Sequence, residues 1–191
     1  DTDEALLIAY ADYLMIVSLP PDLVKEISRY KRASVNVIGH FEGMHSRAYI
    51  TITHLVRCKP FLAQPAIERM GQRLSTMPPL ELYVDGFGYF DNVTTKTIYA
   101  AFTASQRSQN WFKLLFMQMG IKVKDFVLHI PVARNIPLTA FNKLWPNFEN
   151  RGFKRAFTVS NLTVLHRDTF AEHPEWRVYK ELHFGNKMQA F

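Results

Sequence analysis

Cysteine is nearly absent: Cys58 is the single one in 191 residues. No disulfide framework can form within the chain, so a reducing compartment, the cytoplasm, is expected. Cys58 stands outside any CxxC pair, and the histidines show no HExxH spacing, so no metal site is expected. No apolar run reaches the roughly 18 residues that a membrane span requires, so no membrane association is expected. The opening Asp-Thr-Asp-Glu does not read as a signal peptide. No Gly-rich phosphate loop follows any strand-like segment, which argues against a nucleotide-binding doubly wound sheet, and no ATP site or other cofactor is expected. Basic residues form no run of five or more, so charge patterning alone gives weak support for a nucleic-acid partner.

What the chain does have is apolar content, rings and positive charge. Hydrophobic residues make up 48% and aromatics 14%, with 15 Phe. A chain of this size buries a sizeable core without staples. The formal net charge is +6. That surplus suits an anionic partner such as RNA, a nucleotide or a phosphate ester, although a solvated basic surface gives the same sum.

The patterning predicts alternating strands and helices. Tyr10 to Leu19 reads as a first strand, closed by Pro20-Pro21. Leu23, Val24, Ile27 and Tyr30 recur at helical spacing and predict a helix from Pro21 to Ala33. Gly39 to Ser46 reads as a loop. From Arg47 to Val56, Thr51 and Thr53 alternate with Ile50 and Ile52, as in a half-buried strand. Pro60 opens a second helix, to about Thr76. Leu80–Phe90 and Thr95–Thr103 form a hairpin. Ser105 is a candidate N-cap and Gly120 a stop for a third helix, with Trp111, Leu114, Leu115 and Met119 on one face. Strands are then expected at Phe126–Ala133, Phe153–His166 and Trp176–Phe184, with a short helix from Pro137 to about Phe148. The order β-α-β-α-β-β-α-β-α-β-β points to an α+β fold. The two halves are alike in pattern, as an internal duplication would leave them.

Two strand segments carry polar chemistry: Tyr49-Ile50-Thr51-Ile52 and His129-Ile130-Pro131-Val132-Ala133-Arg134. Each is expected mid-strand, with the first and third residues on one face. Between them lies Gly86-Phe87-Gly88-Tyr89-Phe90. This ordered set, spanning nearly the whole chain, resembles the 2H phosphoesterase superfamily of 2′-5′ RNA ligases and cyclic phosphodiesterases. That family is defined by two His-x-Thr/Ser motifs, one per lobe. The resemblance implies a single bilobal domain over residues 1–191, with duplicated antiparallel-sheet lobes and outer helices around a central cleft. It implies catalytic positions at Tyr49, Thr51 and His129, and phosphate contacts from Thr51 and Arg134.

The departures from the family pattern matter. The first histidine position holds Tyr49, and the second hydroxyl position holds Pro131. A phenol with an ordinary pKa of about 10 can serve as an acid but is a poor base at pH 7. Proline offers neither hydroxyl nor N–H. One lost oxyanion donor costs roughly 3–4 kcal/mol in other enzymes, so weak or absent phosphodiesterase activity is expected. His45, His40 and His54 are replacement candidates. His54 lies five positions from Tyr49, which puts it on the opposite face unless a bulge intervenes. His166 neighbours the site only if its strand borders the cleft. A lone histidine on an apolar strand is also often a core residue, and Thr51 and Thr53 are good β-formers in any case.

Three functions remain at this point. One is a protein that binds RNA ends or nucleotide phosphodiesters with little or no turnover. Another is an active cyclic phosphodiesterase using His129 and an unconventional partner. The last is a non-catalytic interaction scaffold. A cleft ringed by Arg and Lys favours the first two; a cleft filled by side chains favours the third. The sequence leaves the oligomeric state open.

Overall fold

The computed structural model describes residues 10–185. Within them the order is β1 (Ala11–Ser18), α1 (Pro21–Ile38), β2 (Tyr49–Cys58), α2 (Pro60–Leu74), β3 (Leu80–Asp91), β4 (Thr95–Phe102), α3 (Gln106–Met119), β5 (His129–Pro137), α4 (Leu138–Leu144), a 3-10 turn (Trp145–Asn147), β6 (Lys154–Val159), β7 (Asn161–Asp168) and β8 (Arg177–His183). The strands form two four-stranded antiparallel sheets, ordered β2-β1-β7-β8 and β5-β4-β3-β6. This is an α+β fold with two lobes. Among the described residues, no helix is long and apolar enough to cross a membrane.

The lobes are not the two contiguous halves of the chain that the sequence pattern suggests. The expected single strand Phe153–His166 breaks at Ser160, and its two pieces join different sheets. β6 pairs with β3, whereas β7 pairs with β1. The second lobe therefore interrupts the first. Ser160 still serves the first sheet, because its carbonyl accepts the Phe184 N–H at 2.8 Å.

Each sheet turns one face to its helices. Tyr13, Met15, Val17, Ile50 and Ile52 form that buried face in the first sheet, and Ile98, Ala100, Ile130 and Val132 in the second. The stripe of α3 is Trp111, Phe112, Leu115, Phe116 and Met119, while Leu114 is exposed rather than on the shared face. Ser105 caps α3 by accepting the Ser108 N–H at 3.1 Å. Gly120 ends it in the left-handed conformation, φ 68°, which glycine adopts without a Cβ penalty.

Two boundaries shift where the site is built. α1 continues five residues past the expected Ala33, to Ile38. β5 begins at His129 instead of Phe126. Asp125, at φ 56°, turns the chain, and Phe126 leaves the strand direction to pack on Phe112 and Phe116 at 5.3 and 5.0 Å. Tyr49 and His129 are thus the first residues of their strands, not mid-strand.

Candidate functional site

The non-helical faces of the two sheets meet where β2 approaches β5. On β2, Ile50 and Ile52 point into the core, so Tyr49 and Thr51 point into the space between the lobes. On β5, Ile130 and Val132 are buried toward the helices, so His129 and Pro131 take the opposite face. A small cavity lies at this junction. Its walls include Tyr49, Thr51 and Pro131 from the two motifs, together with Lys31, Glu42, Arg47 and Arg134. Its volume is about 40 Å³. One water occupies roughly 10–15 Å³ on that scale, so the cavity admits a few waters or one small oxyanion.

Three cations face one carboxylate there. Lys31 is buried, at 6% exposure, on the apolar stripe of α1 that also carries Val24, Ile27 and Ser34. Its ammonium donates to the carbonyls of Gly43 and Ser46 at 3.0 and 2.9 Å, which ties the loop before β2 to the helix. Burial, and then the nearby positive charge of Arg134, hold its pKa below the ordinary lysine value. Glu42 is the one acid of the lining. It accepts a hydrogen bond from Asn135 Nδ2 at 2.9 Å and lies 4.0 Å from Arg134. That geometry leaves Arg134 loosely paired.

His129 shares the inter-lobe face but does not line the cavity. Its Nδ1 lies 2.7 Å from the Val127 carbonyl, which places the proton on Nδ1 and leaves Nε2 as the lone-pair nitrogen. Its ring is edge-on to Phe90 at 4.8 Å and to Tyr99 at 5.4 Å. Burial lowers its pKa from 6.5, outweighing the hydrogen bond that would raise it, so the imidazole is neutral at pH 7. Tyr99 lies across Gly88, the second glycine of the Gly-Phe-Gly-Tyr-Phe segment. A Cβ at Gly88 would sit 2.9 Å from the Tyr99 phenol carbon and oxygen. That close approach is the physical need for glycine there.

The other histidines fall elsewhere. His40 and His45 are exposed on the loop and outside the cavity lining. His166 lies beside Tyr13 and Tyr179, on the helix-facing side of the first sheet. His54 differs from the expectation. The register of β1 and β2 slips between Met15↔Thr53 and Ile16↔Thr51, so β2 holds one extra residue, Ile52. The slip puts His54 opposite Leu14, on the face of Ile16 and Thr51. His54 is on the inter-lobe side after all, away from the cavity, with its ring 5.6 Å from Trp176.

Lys31, Glu42 and Arg47 are the charged lining residues that reading the sequence missed. Lys31 left a signal: a lysine at a position where the helical period demands an apolar residue. Arg47 left none, because it precedes the strand in an irregular loop.

No family model matches the chain, and no curated protein matches its sequence. Solved structures do match in fold. TT0787 of Thermus thermophilus shares 19% identity at a TM-score of 0.62, covering 92% of this chain and 99% of that one. E. coli LigT complexed with 3′-AMP shares 11% identity at a TM-score of 0.68, covering 93% and 100%. Kluyveromyces marxianus Usb1 shares 8% identity at a TM-score of 0.51, covering 93% and 99%. The superpositions span 92–93% of this chain, and the two antiparallel lobes agree with them: this chain has the two-lobed α+β fold of TT0787, LigT and Usb1.

Proposed function

We propose that the protein binds RNA ends or nucleotide phosphodiesters between its lobes, with weak or lost phosphodiesterase activity. The observation that carries this reading is the cavity where β2 meets β5. It collects Lys31, Arg47 and Arg134 with Tyr49 and Thr51 around a space the size of one oxyanion. Charged donors to phosphate are the strong class of hydrogen bond, and arginine offers the fork geometry that phosphate accepts. Fold relatives solved with 3′-AMP, NADP+ and phosphate support a nucleotide ligand.

Thr51 and Arg134 hold phosphate oxygens in this reading, and Lys31 and Arg47 balance the charge. Tyr49 donates its phenolic proton toward a leaving or bridging oxygen. Cleavage would also need a base. His129 has its Nε2 free and neutral, but the ring is set back from the cavity against Phe90 and Tyr99. Efficient general base catalysis needs hydrogen-bond reach, so turnover is low. The protein acts as one bilobal domain, residues 1–191, in the cytoplasm.

The experiment is hydrolysis of 2′,3′-cyclic nucleotides by the purified protein beside His129→Ala, with phosphate and 3′-AMP binding measured by calorimetry. Binding without turnover in either protein is the expected result. Turnover that disappears in His129→Ala would instead establish an active cyclic phosphodiesterase working through His129. No binding of either anion would leave the scaffold reading.

A further inference from the structure

The inter-lobe face of the first sheet continues well beyond the cavity, and its far end is organised around Arg167. Asp12 is buried, at 3% exposure. Its carboxylate accepts the Arg57 N–H at 2.9 Å, the Thr169 hydroxyl at 2.8 Å and Arg167 Nε at 2.9 Å. The ion pair uses one of the five N–H groups that a guanidinium carries. The Arg167 guanidinium lies 4.3 Å from the centre of the Trp176 ring, and the Trp176 and His54 rings meet in a T-shaped contact with centroids 5.6 Å apart. Arg167 pairs with Asp12 and His54 with Leu14, so both stand on the face that carries Thr51 opposite Ile16.

We infer that Arg167, Trp176 and His54 form a nucleobase-stacking subsite, and that the ligand of the inter-lobe cleft is a single-stranded oligonucleotide rather than a mononucleotide. The inference rests on the phosphate reading of the cavity. Two observations and one general rule carry it. The guanidinium plane is fixed twice, by the buried carboxylate and by the indole. Unpaired bases stack on aromatic rings and on arginine planes. Finally, Asp12 and Ile16 are four residues apart on β1, so Arg167 sits roughly 13 Å along the strand from Thr51. That is farther than the base of one nucleotide reaches from its own phosphate. Ser18 and Thr163, hydrogen-bonded at 2.9 Å, lie on the same face. Glu181, opposite Thr163, is the acid beside this track and is accompanied by His183 at 3.7 Å.

The test compares a labelled single-stranded RNA pentanucleotide with 3′-AMP on the full chain, by fluorescence anisotropy and by competition. Wild type is expected to bind the pentanucleotide roughly tenfold to a hundredfold tighter than 3′-AMP, the scale of one stacked base. Arg167→Ala would leave Asp12 buried without its cation, so Trp176→Ala and Arg167→Lys are the informative variants. Both are expected to lose most of that advantage while keeping 3′-AMP affinity within about twofold. Equal affinity of the two ligands in wild type overturns the inference and leaves the phosphate reading standing, as do variants that keep the full length preference. A protein that binds neither ligand overturns the phosphate reading, and this inference with it.

Discussion

Replacing Asp12 tests both the first lobe and the subsite built on it. Asp12→Ala removes a buried acceptor that three donors share: the Arg57 backbone, the Thr169 hydroxyl and Arg167 Nε. Breaking a fully buried ion pair costs about 3–5 kcal/mol. Arg167 keeps 30% of its side chain in water, so its share is discounted. A loss of about 2–3 kcal/mol is expected. For a chain of this size each kcal/mol moves Tm by about 2–4 °C, so the melt falls by roughly 4–12 °C. The pH dependence carries a second signature. Burial raises the Asp12 pKa, but the three hydrogen bonds and the Arg167 charge outweigh it and leave it below the ordinary value. A depressed folded pKa means the stabilisation is complete above the unfolded value, near 3.9, and is lost as pH falls through the lower folded value. Asp12→Asn should therefore melt lower at pH 7 and show a flatter fall in Tm below about pH 4. Differential scanning calorimetry between pH 2 and 7 measures both. An Asp12→Ala melt within 1 °C of wild type at pH 7 would refute the reasoning, because the buried carboxylate would then hold nothing together.

Other substitutions probe the site directly. Lys31→Met removes the buried cation that balances the phosphate and should weaken phosphate or 3′-AMP binding about tenfold to a hundredfold by calorimetry, the scale of one unit charge roughly 6–12 Å away at an effective dielectric of about 20. Because the Lys31 pKa is depressed, folding disfavours its charge; that cost is in place below the folded pKa and is relieved as pH rises toward 10.5, so anion binding should weaken at alkaline pH before free lysine would titrate. Gly88→Ala forces the Tyr99 ring off its seat and should destabilise by about 1–3 kcal/mol in urea, with altered aromatic circular dichroism. His129 is held neutral by burial, so the unfolded chain binds its proton first; stability should fall as pH drops below about 6.5, and less so in His129→Phe.

Much of the architecture was legible because the signals were local. The alternation of Ile50 and Ile52 with Thr51 marked β2, and Ser105 and Gly120 bracketed α3 at its true ends. What escaped depended on partners distant in the chain. The extra residue in β2 is visible only against β1, and it reverses the side on which His54 emerges. The break at Ser160 leaves only a short turn signal, Ser160-Asn161, between Val159 and Leu162, which are both buried strand residues. At the site, Tyr49, Thr51 and Arg134 do line one cavity, and His129 does not. The His129 ring is held instead by the Val127 carbonyl, Phe90 and Tyr99, contacts with other strands and the preceding loop that its own strand pattern does not reveal.

The exchange of strands at Ser160 has a consequence for how the chain is made. All four strands of the second sheet are present once synthesis has passed Val159. The first sheet must wait for β7 and β8, although β1 and β2 left the ribosome long before. Until then β1 exposes an apolar edge with no partner on one side, the kind of edge that pairs with the wrong chain. The lobe that emerges first is thus the last to close, and that interval is when a nascent chain is most exposed to aggregation.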